Sequence, residues 1–135
     1  MGTIVVGYVP KPEGRAALQR AAEEAQLRNA RLVVVNSSRG GREYSGDDAI
    51  GTEKDLEQVR RQLEDAGVEH EIRQLVRGID PADDLVNAAT EVDAEFIVIG
   101  LRRRSPVGKL ILGSNAQRVL LGAPCPVLAV KADEE

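Results

Sequence analysis

Residues 97–115 read IVIGLRRRSPVGKLILGSN and fall into three parts: an apolar run, a basic loop and a helix start. The apolar run ends at Gly100, the loop carries Pro106, and Gly113-Ser114-Asn115 has the composition of a helix N-terminus. Unpaired backbone N–H groups and the helix dipole favour an anion at such an end. We therefore expect an anion site where this loop meets the end of the first strand.

The rest of the chain alternates short apolar runs with amphipathic segments. Strands are expected at residues 3–9, 31–36, 68–76, 95–100 and 126–131, with 68–76 as a polar edge strand. Helices are expected at residues 13–29, 52–66, 81–92 and 114–122, and residues 37–51 are expected to form a loop. Thr52, Asp80 and Ser114 are candidate N-caps, Ser114 in a capping box with Gln117, and Val119 and Leu120 are expected to face inward. This order predicts an α/β fold, one doubly wound parallel sheet with helices on both faces.

The composition fits one globular domain, which we place at residues 1–132, followed by an acidic tail at 133–135. A net charge of −4 and a scarcity of aromatic residues argue against nucleic acid as a partner. No apolar run reaches the roughly 20 residues that span a bilayer, so no membrane partner is expected. The start lacks the basic segment of a signal peptide, and the single cysteine fits a reducing compartment, so we expect a cytoplasmic protein.

Several signatures of catalysis and nucleotide binding are absent from the sequence. A P-loop would need glycine at position 103 and Ser or Thr at position 110, where Arg103 and Leu110 stand. Gly7-Tyr8-Val9-Pro10 after the first strand is not a dinucleotide-binding turn, and no nucleophilic triad is evident. No metal site is predicted. The isolated polar residues are interpreted as structural: a surface His70, a buried Cys125, and first-turn helix charges at Asp83 and Asp84.

The pattern Gly100-x2-Arg103-x9-Gly113-Ser114, followed by APCPVLAV at 123–130, resembles the universal stress protein family. The start is similar too, with IVVG at 4–7 and RAAL at 15–18. The resemblance implies five parallel strands in the order 3-2-1-4-5 and a homodimer through the last strand, at Val127–Val130. In that family some members bind ATP through Gly-x2-Gly-x9-Gly-Ser/Thr, while others bind no nucleotide.

The resemblance also implies where ATP or AMP would bind, at the loops after the first and fourth strands. Two positions depart from the family pattern: Arg103 replaces the second glycine, and Val9-Pro10 replaces an Asp-Gly whose acid contacts the nucleoside. The cluster at 102–104 is either a phosphate clamp or a solvated group of arginines. The candidate binding residues are Val9, Pro10, Ser37, Gly100, Arg103, Gly113, Ser114 and Asn115.

Two functions stay open on this basis. One is a small dimeric stress-linked protein that binds an adenine nucleotide without being an enzyme, slow hydrolysis of bound ATP being compatible with it. The other is an interaction module with a degenerate pocket and an unknown protein partner. A related adenylate-handling enzyme is disfavoured, because no SGGxDS-like or HIGH-like motif follows the first strand.

Overall fold

A computed structural model describes residues 2–38, 46–76, 80–101 and 113–132. Strands and helices alternate along these residues, as the apolar runs and amphipathic segments predict. The elements in chain order are β1 (Thr3–Gly7), α1 (Pro12–Arg28), β2 (Arg31–Ser38), α2 (Gly46–Asp65), β3 (His70–Val76), α3 (Pro81–Glu91), β4 (Phe96–Leu101), α4 (Ser114–Gly122) and β5 (Val127–Lys131).

The five strands form one sheet in the order β3-β2-β1-β4-β5, and every neighbouring pair is parallel. The predicted α/β fold and strand order are therefore confirmed. β1 lies in the centre, with Val5 opposite Val33 of β2 on one side and Ile97 of β4 on the other. Since the chain winds outward from β1 in both directions, the strand order reverses between β1 and β4. Ligand sites in open α/β sheets lie beyond the carboxyl ends of the strands at such a reversal.

The core consists of two apolar layers, one on each face of the sheet. Alternate residues of β1 serve the two layers, because successive side chains of a strand point to opposite faces. Ile4 and Val6 pack on the side of α1 and α2, while Val5 packs on the side of α3 and α4. All three are fully buried. The many small residues in the helix faces, such as Ala17 and Ala21, let the helices lie close to the sheet.

The two outer edges of the sheet differ in chemistry. On β3 the carboxylate of Glu71 pairs with Arg31 at 2.6 Å and with Arg73, and Arg73 also pairs with Glu91 at 2.8 Å. The hydrogen bond from Arg73 lowers the pKa of Glu71 and keeps this edge charged. β5 reads VLAVK and carries no charge before Lys131. Charged edges resist pairing with another strand, whereas apolar edges invite it.

Several local predictions are wrong. α2 begins at Gly46, so residues 46–51 are helical and Thr52 lies inside the helix, where it cannot be the N-cap. Gly51 suggested a break, but its cost of about 1 kcal/mol is small beside the stability of a long packed helix. Ser114 does not form a capping box, because the N-cap is Gly113, which has no side chain to accept a hydrogen bond. Leu120 does not face inward, since 43% of it is exposed, whereas Val119 is buried.

Other local predictions are confirmed. Asp80 is the N-cap of α3 and its carboxylate accepts a hydrogen bond of 2.9 Å from the backbone N–H of Ala82. Asn29 ends α1 in the left-handed conformation, with a φ of 52°. Residues 39–45, 102–112 and 133–135, which include the arginine cluster and the acidic tail, lie outside the described residues. No helix within the described part of the chain is both long and apolar enough to cross a membrane.

Candidate functional site

A cavity of about 290 Å³ lies at the carboxyl ends of β1, β2 and β4, at the reversal of strand order. Helices α3 and α4 and the start of α1 close its sides. This volume is at the lower end of the range of about 300–1,000 Å³ that small-molecule sites occupy. The described residues that line it are Gly7, Tyr8, Val9, Lys11, Glu13, Gly14, Val35, Ser37, Pro81, Ala82, Leu85, Ile99, Gly100, Leu101, Gly113, Asn115, Ala116 and Val119.

Most of the predicted binding residues lie together on this cavity. Five of the eight line it, and they come from four separate parts of the chain: Val9, Ser37, Gly100, Gly113 and Asn115. Pro10 and Ser114 are exposed and do not line it. Arg103 lies outside the described residues. The roles of these residues in ligand binding stay predictions.

Two glycines set the position of α1 over the end of β4. A Cβ atom on Gly100 would lie 1.9 Å from the backbone oxygen of Glu13, and one on Gly14 would lie 1.9 Å from the backbone oxygen of Val9. Both positions therefore require glycine for close backbone packing. In the family pattern Gly100 is the first glycine of the nucleotide-binding motif, and the described group next to its Cα is the backbone of α1 at Glu13.

The ends of β1 and β2 are joined by hydrogen bonds beyond the regular ladder. The Tyr8 backbone N–H donates to the Val35 oxygen at 2.9 Å, and the Asn36 side-chain amide donates to the Tyr8 oxygen at 3.0 Å. On the opposite face of the sheet the Tyr8 hydroxyl donates to Asp55 of α2. Burial raises the pKa of Tyr8 well above its usual value, and the hydrogen bond to Asp55 raises it further. These contacts fix the floor of the cavity.

The N-terminus of α4 faces the cavity through Gly113, Asn115 and Ala116. Its N-cap is Gly113, which has no side chain, so within the described residues no N-cap side chain occupies the first backbone N–H groups of the helix. Arg118 of α4 makes a two-pronged ion pair with Asp83 of α3, at 3.0 and 3.2 Å. This pair links the two helices that flank the cavity. Asp83 is therefore a helix–helix contact in addition to a first-turn charge.

Two acidic residues near the cavity were not recognised as site residues from the sequence. Asp84 was interpreted as a first-turn helix charge, but only 2% of it is exposed and its carboxylate accepts a hydrogen bond from the Ser37 hydroxyl. Glu13 lines the cavity, and its Oε1 atom is buried. Within the described residues neither Glu13 Oε1 nor Asp84 Oδ1 has a hydrogen-bond partner. No local sequence pattern separates these acids from ordinary helix-start charges.

The remaining polar candidates lie away from the cavity lining. His70 is half-buried on β3, where its Nδ1 lies 2.9 Å from the backbone oxygen of Val68. The described residues contain no group of three or more potential metal-binding side chains. Cys125 is half-buried, and burial raises the pKa of its thiol, which disfavours the reactive thiolate.

Known proteins are similar to this chain in both sequence and fold. The sequence pattern of the universal stress protein family matches residues 1–131. A universal stress protein of Mycolicibacterium smegmatis is 48% identical over 128 residues, covering 95% of this chain and 96% of the relative. The structure of a universal stress protein from Archaeoglobus fulgidus superposes with a TM-score of 0.84 at 43% identity, covering 97% of this chain and 99% of that one. A universal stress protein structure from the same organism, in complex with dAMP, gives a TM-score of 0.78 at 37% identity, covering 97% and 98%. Since the match extends over almost the whole chain in sequence and in fold, this protein belongs to the universal stress protein family.

Proposed function

We propose that this chain binds an adenine nucleotide, ATP or AMP, in the cavity between β1 and β4 and acts as a non-enzymatic sensing module. The observation that carries the proposal is the cavity itself, which combines apolar side chains such as Val35, Leu85 and Ile99 with a helix N-terminus whose N-cap is a glycine. The apolar side chains suit a nucleobase, and the N-terminus of α4 suits a phosphate. A related universal stress protein of 37% identity has been solved with dAMP, which supports the same class of ligand here.

The carboxylate of Glu13 is a candidate for the nucleoside contact that Val9 cannot make. Val9 is 37% exposed and apolar, whereas Glu13 lines the same cavity with a buried carboxylate oxygen. A carboxylate accepts hydrogen bonds from ribose hydroxyls. We propose that Glu13 makes this contact, four residues after the position where the family pattern has its acid.

The dimer forms the second part of the proposal. β5 is an outer strand with an apolar sequence, and Leu120 and Leu121 of the adjoining α4 are 43% and 88% exposed. The other outer strand, β3, is charged. We propose that two copies associate through β5, and that nucleotide occupancy changes the surface that the pair presents to a protein partner.

Calorimetric titration with ATP and AMP tests the nucleotide site. The sharpest comparison is Ala116→Glu, which places a negative charge on the cavity wall, against Gln117→Glu. Gln117 is exposed on the same helical turn and does not line the cavity, so both variants add the same charge to the start of α4. We expect Ala116→Glu to abolish binding and Gln117→Glu to weaken it slightly.

Absence of heat and of a thermal shift with millimolar nucleotide would reject this function for the wild-type protein. It would favour the alternative, an interaction module whose pocket is degenerate. The apolar Val9 on the cavity lining supports this alternative.

A further inference from the structure

Ser37 and Asp84 form a part-buried hydrogen-bonded pair at the wall of the cavity. Ser37 stands near the end of β2 and lines the cavity, whereas Asp84 stands in the first turn of α3 behind it. The Ser37 hydroxyl donates its proton to Asp84 Oδ2. Asp84 is 2% exposed, so its carboxyl group is shielded from water, whereas Ser37 is half-buried.

The direction of this hydrogen bond determines what Ser37 can offer to a ligand. A hydroxyl has one proton and two lone pairs, and an ionised carboxylate can only accept. Asp84 Oδ1 has no hydrogen-bond partner within the described residues, and the Ser37 hydroxyl is the described donor to Oδ2. The proton of Ser37 is thereby committed to Asp84, and the oxygen presents only lone pairs to the cavity.

The side chains around Ser37 make the polarity of its oxygen important to a ligand. The neighbouring lining residues Val35, Ala82 and Leu85 are apolar and 2%, 2% and 6% exposed. A flat apolar ring fits between such walls, and an unmatched polar atom on its rim would lose water there without gaining a partner. The polarity of the Ser37 oxygen therefore discriminates between rings of equal shape.

We propose that Asp84 is a positioning residue that fixes Ser37 as a hydrogen-bond acceptor, so that the cavity selects 6-aminopurine over 6-oxopurine nucleotides. The inference rests on the proposed function, because it assumes a purine in this cavity. The 6-amino group of adenine donates to Ser37, whereas the 6-oxo group of hypoxanthine or guanine meets it with a second acceptor. A buried unsatisfied polar group weakens binding by about 10- to 100-fold.

The ratio of the dissociation constants of IMP and AMP tests this proposal. We expect the wild-type protein to bind AMP about 10- to 100-fold more tightly than IMP. In Asp84→Asn the side-chain amide donates to Ser37, so the hydroxyl proton turns to the cavity and the preference moves toward IMP by at least about 10-fold. Ser37→Ala removes the acceptor, and the ratio should approach one without reversing.

Asp83→Asn is the matched control, because it removes the same charge at the neighbouring, more exposed position on α3. Its pairing with Arg118 can alter overall affinity, but the ratio of the two nucleotides should stay at the wild-type value. Thermal melting shows which variants fold, and Ser37→Ala replaces Asp84→Asn if the latter does not.

The outcomes separate this inference from the proposed function. If the wild-type protein binds neither nucleotide, the proposed function fails and this selectivity fails with it. If it binds AMP and IMP equally, or if both Asp84→Asn and Ser37→Ala keep the wild-type ratio, the nucleotide site stands and the Ser37–Asp84 selectivity is overturned.

Discussion

Gly100 is a single residue on which the geometry of the cavity depends. The Gly100→Ala side chain would lie 1.9 Å from the Glu13 backbone oxygen, so the start of α1 must move away from β4. We expect a loss of about 1–3 kcal/mol in the free energy of unfolding, as for other overpacked sites. Urea denaturation measures it. Gly122→Ala is the control, because its Cβ meets only Val86 at 3.7 Å, and a comparable loss there would contradict this account.

Glu13 provides a second test at the level of one side chain. Glu13→Gln keeps the size of the side chain but removes the charge that a ribose hydroxyl would bind. We expect AMP to bind about 10- to 100-fold more weakly, since hydrogen bonds to charged groups are the stronger ones. A 2′,3′-dideoxy analogue of AMP should bind both proteins alike, and calorimetry compares the two ligands. An equal loss for both ligands would show that Glu13 does not contact the ribose.

Single residues also show where the sequence was informative. Asp80 followed by Pro81 identified the start of α3, because capping is a local interaction between neighbouring residues. Asp84 could not be identified as the partner of Ser37, since the two are 47 residues apart and meet only when β2 and α3 pack together. The buried carboxyl groups near the cavity were therefore the least visible in the sequence.

At the level of elements, the Tyr8–Asp55 hydrogen bond joins the residue that follows β1 to α2 and predicts a loss of stability in alkali. Tyrosine in the unfolded chain ionises near pH 10, at about its ordinary pKa, while the folded protein holds the Tyr8 proton to higher pH. The unfolded state therefore binds fewer protons above that pH, and the free energy of unfolding should fall as pH rises. Denaturation from pH 8 to 11 measures this fall.

Tyr8→Phe is the comparison for this effect. The variant should lose about 1 kcal/mol near neutral pH with the hydrogen bond, and its stability should fall less steeply in alkali. Tyr44 is common to both proteins and cancels in the comparison. If the free energy of unfolding falls equally with pH in the two proteins between pH 8 and 11, Tyr8 does not resist ionisation as its burial indicates.

Helices and strands were predicted well where the chain is strongly apolar. They were predicted less well where tertiary contacts determine the start of a helix or the exposure of a side chain. Runs such as Leu32–Val35 identify buried strands, because burial on both faces needs continuous apolar residues. The start of α2 was missed because the glycines at 46 and 51 lower helix propensity. The exposure of Leu120 was missed because helical periodicity alone cannot show how far a neighbouring layer extends.

The whole molecule is predicted to associate through β5. Sedimentation velocity at micromolar concentration should show a dimer for the wild-type protein. Ala129→Lys adds a charge to an exposed position of β5 and should give monomers. Leu27→Lys removes an apolar residue that is 81% exposed on α1 and should remain dimeric. A monomeric wild-type protein would refute the association.

The difference between the two outer strands limits how many copies can associate edge to edge. If both borders of the sheet accepted a strand, β5 of one copy could join β3 of the next, and repeated addition would build an open-ended polymer. The ion pairs around Glu71 make β3 a poor template for a further strand. If two copies join through β5 as proposed, each apolar border is covered by the other, and the pair offers no apolar border at which a fibre could grow.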